Sequence, residues 1–103
     1  MNLFNERIFL INQIENYLNN KCSLESVRAF AWDIIAYFSN TNKEQLPEHQ
    51  DFEKEFWYTI WEIQHLGDQD HENDGLTKKI LSEALQYLNK QKKIPESFIG
   101  LRP

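Results

Sequence analysis

The acidic stretch Asp68, Asp70, Glu72 and Asp74, closed by Gly75, is the first place in this chain where residue type and spacing suggest chemistry. Counted from Asp70, acids fall at loop positions 1, 3 and 5 and glycine at 6, as a calcium-binding EF-hand loop requires. Position 12 must be a bidentate carboxylate, and here it is Leu81. Counted from Asp68, Asn73 stands at position 6 and Lys79 at position 12, so both frames fail. His65 and His71, with Asp68 and Asp70, form a candidate transition-metal set. The two histidines are six apart, not the i, i+4 spacing that puts two ligands on one helix face. Glu55 and Glu62, with Asp51 nearby, are candidate acid/base carboxylates. Their separation of seven residues places them about 10 Å apart along a helix, far for a concerted pair. The lone Cys22 can form neither an internal disulfide nor a zinc pair. Only Lys21 is near in sequence to activate it. A glycine-rich phosphate loop, a GxSxG elbow and a Cys/His motif are all missing from the sequence. The expectation is a protein with no catalytic residue, no metal and no cofactor.

A denser signal lies at Phe56-Trp57-Tyr58-Thr59-Ile60-Trp61, more aromatic than one helix face can bury. If Phe56, Ile60 and Ile63 face a core, Tyr58 and Trp61 point outward or sideways. Glu55, Tyr58 and Glu62 share a strip at steps of three and four. An exposed aromatic ringed by carboxylates suits recognition of a cationic partner. The alternative is that Tyr58 and Trp61 pack beneath the tail residues Phe98, Ile99 and Leu101. Charge adds weight to the first reading. Of the chain's net −5, residues 44–74 hold ten acids against one base, Lys54, a net of −9, while the rest is +4. That imbalance argues against direct nucleic-acid binding, which needs a basic face. It suits a basic protein partner, or else a solvated face that only aids solubility.

The elements that must position these residues read as helices. Leu3, Phe4, Ile8, Ile11, Ile14 and Leu18 mark one over about 3–19. Ser23 caps a second, carried to about 39 by Leu24, Val27, Phe30, Ala31, Ile34, Ile35 and Phe38. Pro47 is placed to open a third, running to Leu66 with Gly67 as its stop. Leu76, Ile80, Leu81, Ala84, Leu85 and Leu88 give a fourth over about 76–91, with Lys90, Lys92 and Lys93 favouring its dipole. The 103 residues predict a single domain over 1–103, an all-α antiparallel four-helix bundle with a C-terminal tail packed on it. Three glycines and three prolines are too few for the turns of an all-β domain. The apolar run Ile8-Phe9-Leu10-Ile11 is too short for a signal peptide or a membrane span. A cytoplasmic protein with no membrane partner is expected.

The stretch His71-Glu72-Asn73-Asp74-Gly75-Leu76-Thr77-Lys78-Lys79-Ile80-Leu81 is an acidic loop ending in Asp-Gly-Leu before an amphipathic last helix. It resembles the colicin D-like bacterial self-protective immunity proteins, which include immunity partners of contact-dependent growth-inhibition toxins. Length, charge and helix order agree across most of the chain, and the specific part covers about residues 57–90. The resemblance implies a one-to-one complex with the basic C-terminal nuclease domain of a cognate toxin, often one that cleaves transfer RNA. It also implies inhibition by carboxylates standing where phosphates would sit. Glu72, Asp74 and Gly75 are the residues carried by the motif. Charge and aromatic placement extend the expected partner-binding set to Glu55, Tyr58, Trp61, Glu62, Asp68 and Asp70. Two other classes stay open: a helical adaptor that dimerises through Trp57, Tyr58 and Trp61, and a small metal-dependent enzyme.

Overall fold

A computed structural model describes residues 2–66, 74–95 and 102–103, with Asp74 by its backbone alone. Four helices follow one another: α1 Leu3–Leu18, α2 Leu24–Asn40, α3 Glu53–Leu66 and α4 Asp74–Leu88, with one 3-10 turn at Lys43–Gln45. Each helix packs on two neighbours, α1 on α2 and α4, and α3 on α2 and α4, so the four close an antiparallel bundle. The ring is tied at both ends of the α1–α4 seam. The Arg7 guanidinium donates to the carbonyl of Leu88, and Lys78 Nζ donates to Asn20 Oδ1 at 2.8 Å. Among the described residues there is no strand, and no helix is long and apolar enough to cross a membrane.

Local chemistry sets the helix ends. Asn2 and Ser23 accept from the backbone N–H three residues on, at 3.1 and 3.2 Å, satisfying donors that a first turn leaves open. Ser23→Ala is expected to destabilise the fold by about 1 kcal/mol, read as a lower urea midpoint at unchanged slope. Both α1 and α4 stop in a left-handed residue that is not glycine, Asn20 at φ 61° and Lys90 at φ 57°. At α1, Lys21 N–H reaches Asn16 O at 2.7 Å and Asn20 N–H reaches Tyr17 O at 3.0 Å. That is the Schellman pattern. The same pair of bonds closes α4, from Gln91 to Gln86 and from Lys90 to Tyr87.

The sequence pattern misplaces three helix ends and one buried face. The third helix starts at Glu53 and not at Pro47: residues 47–50 are non-helical, and Glu53 itself organises the start. Its carboxylate accepts the Gln50 N–H at 2.6 Å while its own N–H reaches the Gln50 carbonyl at 3.2 Å. This is a reciprocal arrangement of capping-box type. The fourth helix begins at Asp74 and ends at Leu88, so its last turn holds no basic residue and the lysines follow it. In α1 the core face is Leu3, Leu10, Ile14 and Tyr17, while Phe4 and Ile8 of the expected stripe are 55% and 41% exposed. The patterns of α2 and α3 hold: Val27, Ala31, Ile34, Ile35 and Phe38 meet Phe56, Trp57, Ile60, Ile63 and Leu66 in one core with Leu81 and Leu88.

Candidate functional site

α3 and α4 run antiparallel, and each carries a tyrosine and a glutamate four residues apart in opposite order, Tyr58 with Glu62 and Glu83 with Tyr87. Four residues is just over one helical turn, so each pair lies on one helix face. The antiparallel fold then sets tyrosine against tyrosine. The Tyr58 and Tyr87 ring centroids are 4.9 Å apart at 72°, an edge-to-face contact. With Ile80 and Ala84 as its apolar floor, the set lines a cleft of about 100 Å³.

The cleft's polar atoms form a chain. Tyr87 OH donates to Glu83 Oε1 at 2.7 Å, and Lys92 Nζ bonds the same oxygen at 3.0 Å. The ammonium also lies 5.7 Å from the Tyr87 ring centre. Tyr87 and Lys92 together hold the Glu83 carboxyl below its usual range. The same Glu83 bond, with burial, pushes Tyr87 well above the ordinary phenol value. Burial and then the Glu62 charge push Tyr58 up. Near neutral pH the site therefore presents two neutral phenols and an ionised Glu83. Such an arrangement is suited to accepting a cation.

The structure divides the sequence-predicted set. Tyr58 and Glu62 come together in the cleft, both half-buried. Glu55, also half-buried, lines a different groove of about 380 Å³ with Lys54, Lys90, Lys92, Lys93 and Ile94. Its Oε2 is buried there without a hydrogen-bond partner. Trp61 is half-buried against the core. Trp57, part of the expected dimer surface, is fully buried and cannot serve as one. Asp68, Asp70 and Glu72 lie outside the described residues, as do the side chain of Asp74 and the tail residues Phe98, Ile99 and Leu101. Among the described residues no three His, Cys, Asp or Glu side chains are grouped to hold a metal. Cys22 is free and half-buried, its Sγ 3.6 Å from the Gln13 carbonyl.

Sequence reasoning missed three residues. Glu83 and Tyr87 were signalled by a Glu–Tyr spacing that mirrors Tyr58–Glu62, a signal that becomes meaningful once α3 and α4 are known to be antiparallel. The third is Glu53, counted in the acidic segment but unavailable to a partner. Its carboxylate is 8% exposed and accepts Arg102 Nε at 2.6 Å, Arg102 Nη2 at 2.9 Å and Trp57 Nε1 at 3.1 Å. Burial alone would raise its pKa, but these bonds and the Gln50 N–H outweigh that and leave it below the usual value. The exposed acids near the start of α3 are Glu44, Glu48 and Asp51. They lie at the N-terminal end of α3, which is about 21 Å long. The chain matches no family model, no curated protein and no solved structure.

Proposed function

We propose that this chain is an immunity protein that binds and neutralises a basic bacterial nuclease toxin, probing it with cation-accepting groups along α3 and α4. The observation that carries this reading is the Tyr58/Glu62/Glu83/Tyr87 cleft. Two of its residues, Glu83 and Tyr87, already hold an ammonium group, that of Lys92 from the neighbouring groove. A partner's lysine or arginine meets the same chemistry there, and Arg adds stacking and a two-pronged contact that Lys92 lacks. The sequence resemblance supplies the class of partner, the C-terminal domain of a nuclease toxin held one to one and kept from its RNA. Acids spread along rigid helices and in the neighbouring connections suit a groove that tracks a phosphate backbone. The protein acts by occupancy and catalyses nothing.

The test uses the toxin domain encoded directly upstream of this chain's reading frame. Adding the chain should abolish RNA cleavage at a one-to-one ratio and give a complex that weakens as salt rises. Glu62→Lys combined with Glu83→Lys should weaken binding by about a hundredfold or more, the scale expected when a close charge pair becomes repulsive. Undiminished RNA cleavage at saturating chain would overturn the function. Unchanged affinity in the double variant would remove the cleft from the contact surface. A stable dimer of the free chain in sedimentation, without toxin binding, would favour the adaptor reading.

A further inference from the structure

We propose that the α1–α2 face is a second docking surface, one that receives a basic helical segment by burying an apolar side chain between two carboxylates. The face is built from Phe9, which the core leaves exposed, and from the outer edges of side chains that pack against the core. Phe9 on α1 is 49% exposed and its ring lies 5.1 Å from that of Phe30 on α2, at 31°. Phe9, Phe30, Ile34 and Tyr37 line a groove of about 480 Å³ whose only charged lining residues are Glu6 and Asp33. Neither carboxylate has an ion pair among the described residues. Elsewhere on α2, Ala29, Trp32 and Ala36 are also exposed, with Trp32 at 46%. Steps of three and four set those three on one face.

Leaving Phe9 half in water forgoes hydrophobic stabilisation that a polar substitution would make irrelevant. An apolar groove with an exposed aromatic ring and a charged rim is a candidate partner site. The sign of the rim selects the partner. Nucleic acid and an anionic membrane are repelled by Glu6 and Asp33. A second copy docked by two-fold symmetry would bring the same acidic patch against itself. The nearest bases are already engaged, Arg28 with Glu25 at 3.1 Å and Arg7 with the Leu88 carbonyl. What fits is a helix offering a leucine-like or aromatic side chain to the groove, with lysine or arginine a turn away on either side for Glu6 and Asp33. This surface lies on different helices from the α3–α4 cleft, and the two stand or fall separately.

The probe is a synthetic amphipathic helix of leucine and lysine, with a leucine–glutamate helix of the same pattern as the sign control. Titrated into the isotope-labelled full chain, the lysine helix should bind saturably, with the largest amide shifts at residues 6–13 and 29–37. The glutamate helix should not bind. Glu6→Lys with Asp33→Lys should weaken binding about tenfold or more, and Phe9→Ala should do the same while circular dichroism stays that of the native chain. Shifts centred on 58–62 and 80–87 would overturn the proposal, as would equal binding of both helices or an unaffected double variant. Concentration-dependent shifts at 6–13 and 29–37 without peptide, abolished by Phe9→Ala, would assign the face to a second copy and overturn it too.

Discussion

Glu53→Gln is expected to destabilise the protein by about 3–5 kcal/mol, the usual range when one partner of a buried ion pair is removed. The reason is the Arg102 side chain, only 15% exposed and held by both carboxylate oxygens. With glutamine opposite it, a part-buried guanidinium loses its counter-charge, and the Trp57 N–H loses a charged acceptor for a neutral one. Arg102→Ala should destabilise on a similar scale from the other side, and it also removes the cation resting 5.3 Å from the Phe38 ring centre. Replacing both residues by methionine should recover most of the loss, since two apolar side chains leave no charge stranded. Urea unfolding of the three variants at neutral pH, read as midpoints at constant slope, checks this. The total stability of such a domain is about 5–15 kcal/mol, so the single variants should fold only marginally.

The pair also shapes the acid limb of stability. The folded Glu53 carboxyl lies below its ordinary value of 4.5. The unfolded chain therefore binds more protons in that region, and stability rises with pH there. The contribution is present above pH 4.5 and is lost as pH falls through the folded value. Glu53→Gln should flatten this limb relative to the native protein.

Trp57→Ala is expected to cost about 3–5 kcal/mol. The ring is fully buried, meeting Phe38 edge-on at 4.8 Å and Phe56 at 4.9 Å. Truncation leaves a cavity at the junction of α2 and α3 and deprives Glu53 of a donor. Trp57→Phe separates the two effects, keeping most of the volume and losing the N–H. Because Trp57 and Glu53 share a hydrogen bond, their losses should not add, and a double-mutant cycle should show coupling of about 0.5–3 kcal/mol. Fluorescence offers a second readout: the native chain should keep a blue-shifted component that Trp57→Ala removes, leaving emission dominated by more accessible rings such as Trp32.

These residues also show what a sequence can and cannot display. The buried faces of α2 and α3 were legible because apolar residues there recur at one angle and polar ones fill the rest. α1 was not, because Leu3, Phe4, Ile8, Phe9, Leu10, Ile11, Ile14, Tyr17 and Leu18 run round most of the helix and several stripes fit equally well. Neighbouring helices decide which stripe is covered. The start of α3 turned on a local bond between Gln50 and Glu53 that competes with the permissive signal of Pro47. At the candidate site, Tyr58 and Glu62 were found from spacing on one helix, while Glu83 and Tyr87 needed the pairing of two. Glu53 looked like one more surface acid because its partner is 49 positions away.

That separation has a consequence for the nascent chain. Synthesis runs from the N-terminus, and elements tend to fold as they emerge. α1, α2 and α3 are complete when Glu53 still has no guanidinium to meet, and Arg7 likewise waits 81 residues for the Leu88 carbonyl. Two charged side chains destined for part-buried positions therefore stay without these partners until residues 88 and 102 have been made. The end of the bundle where both contacts are made is therefore expected to close after the other.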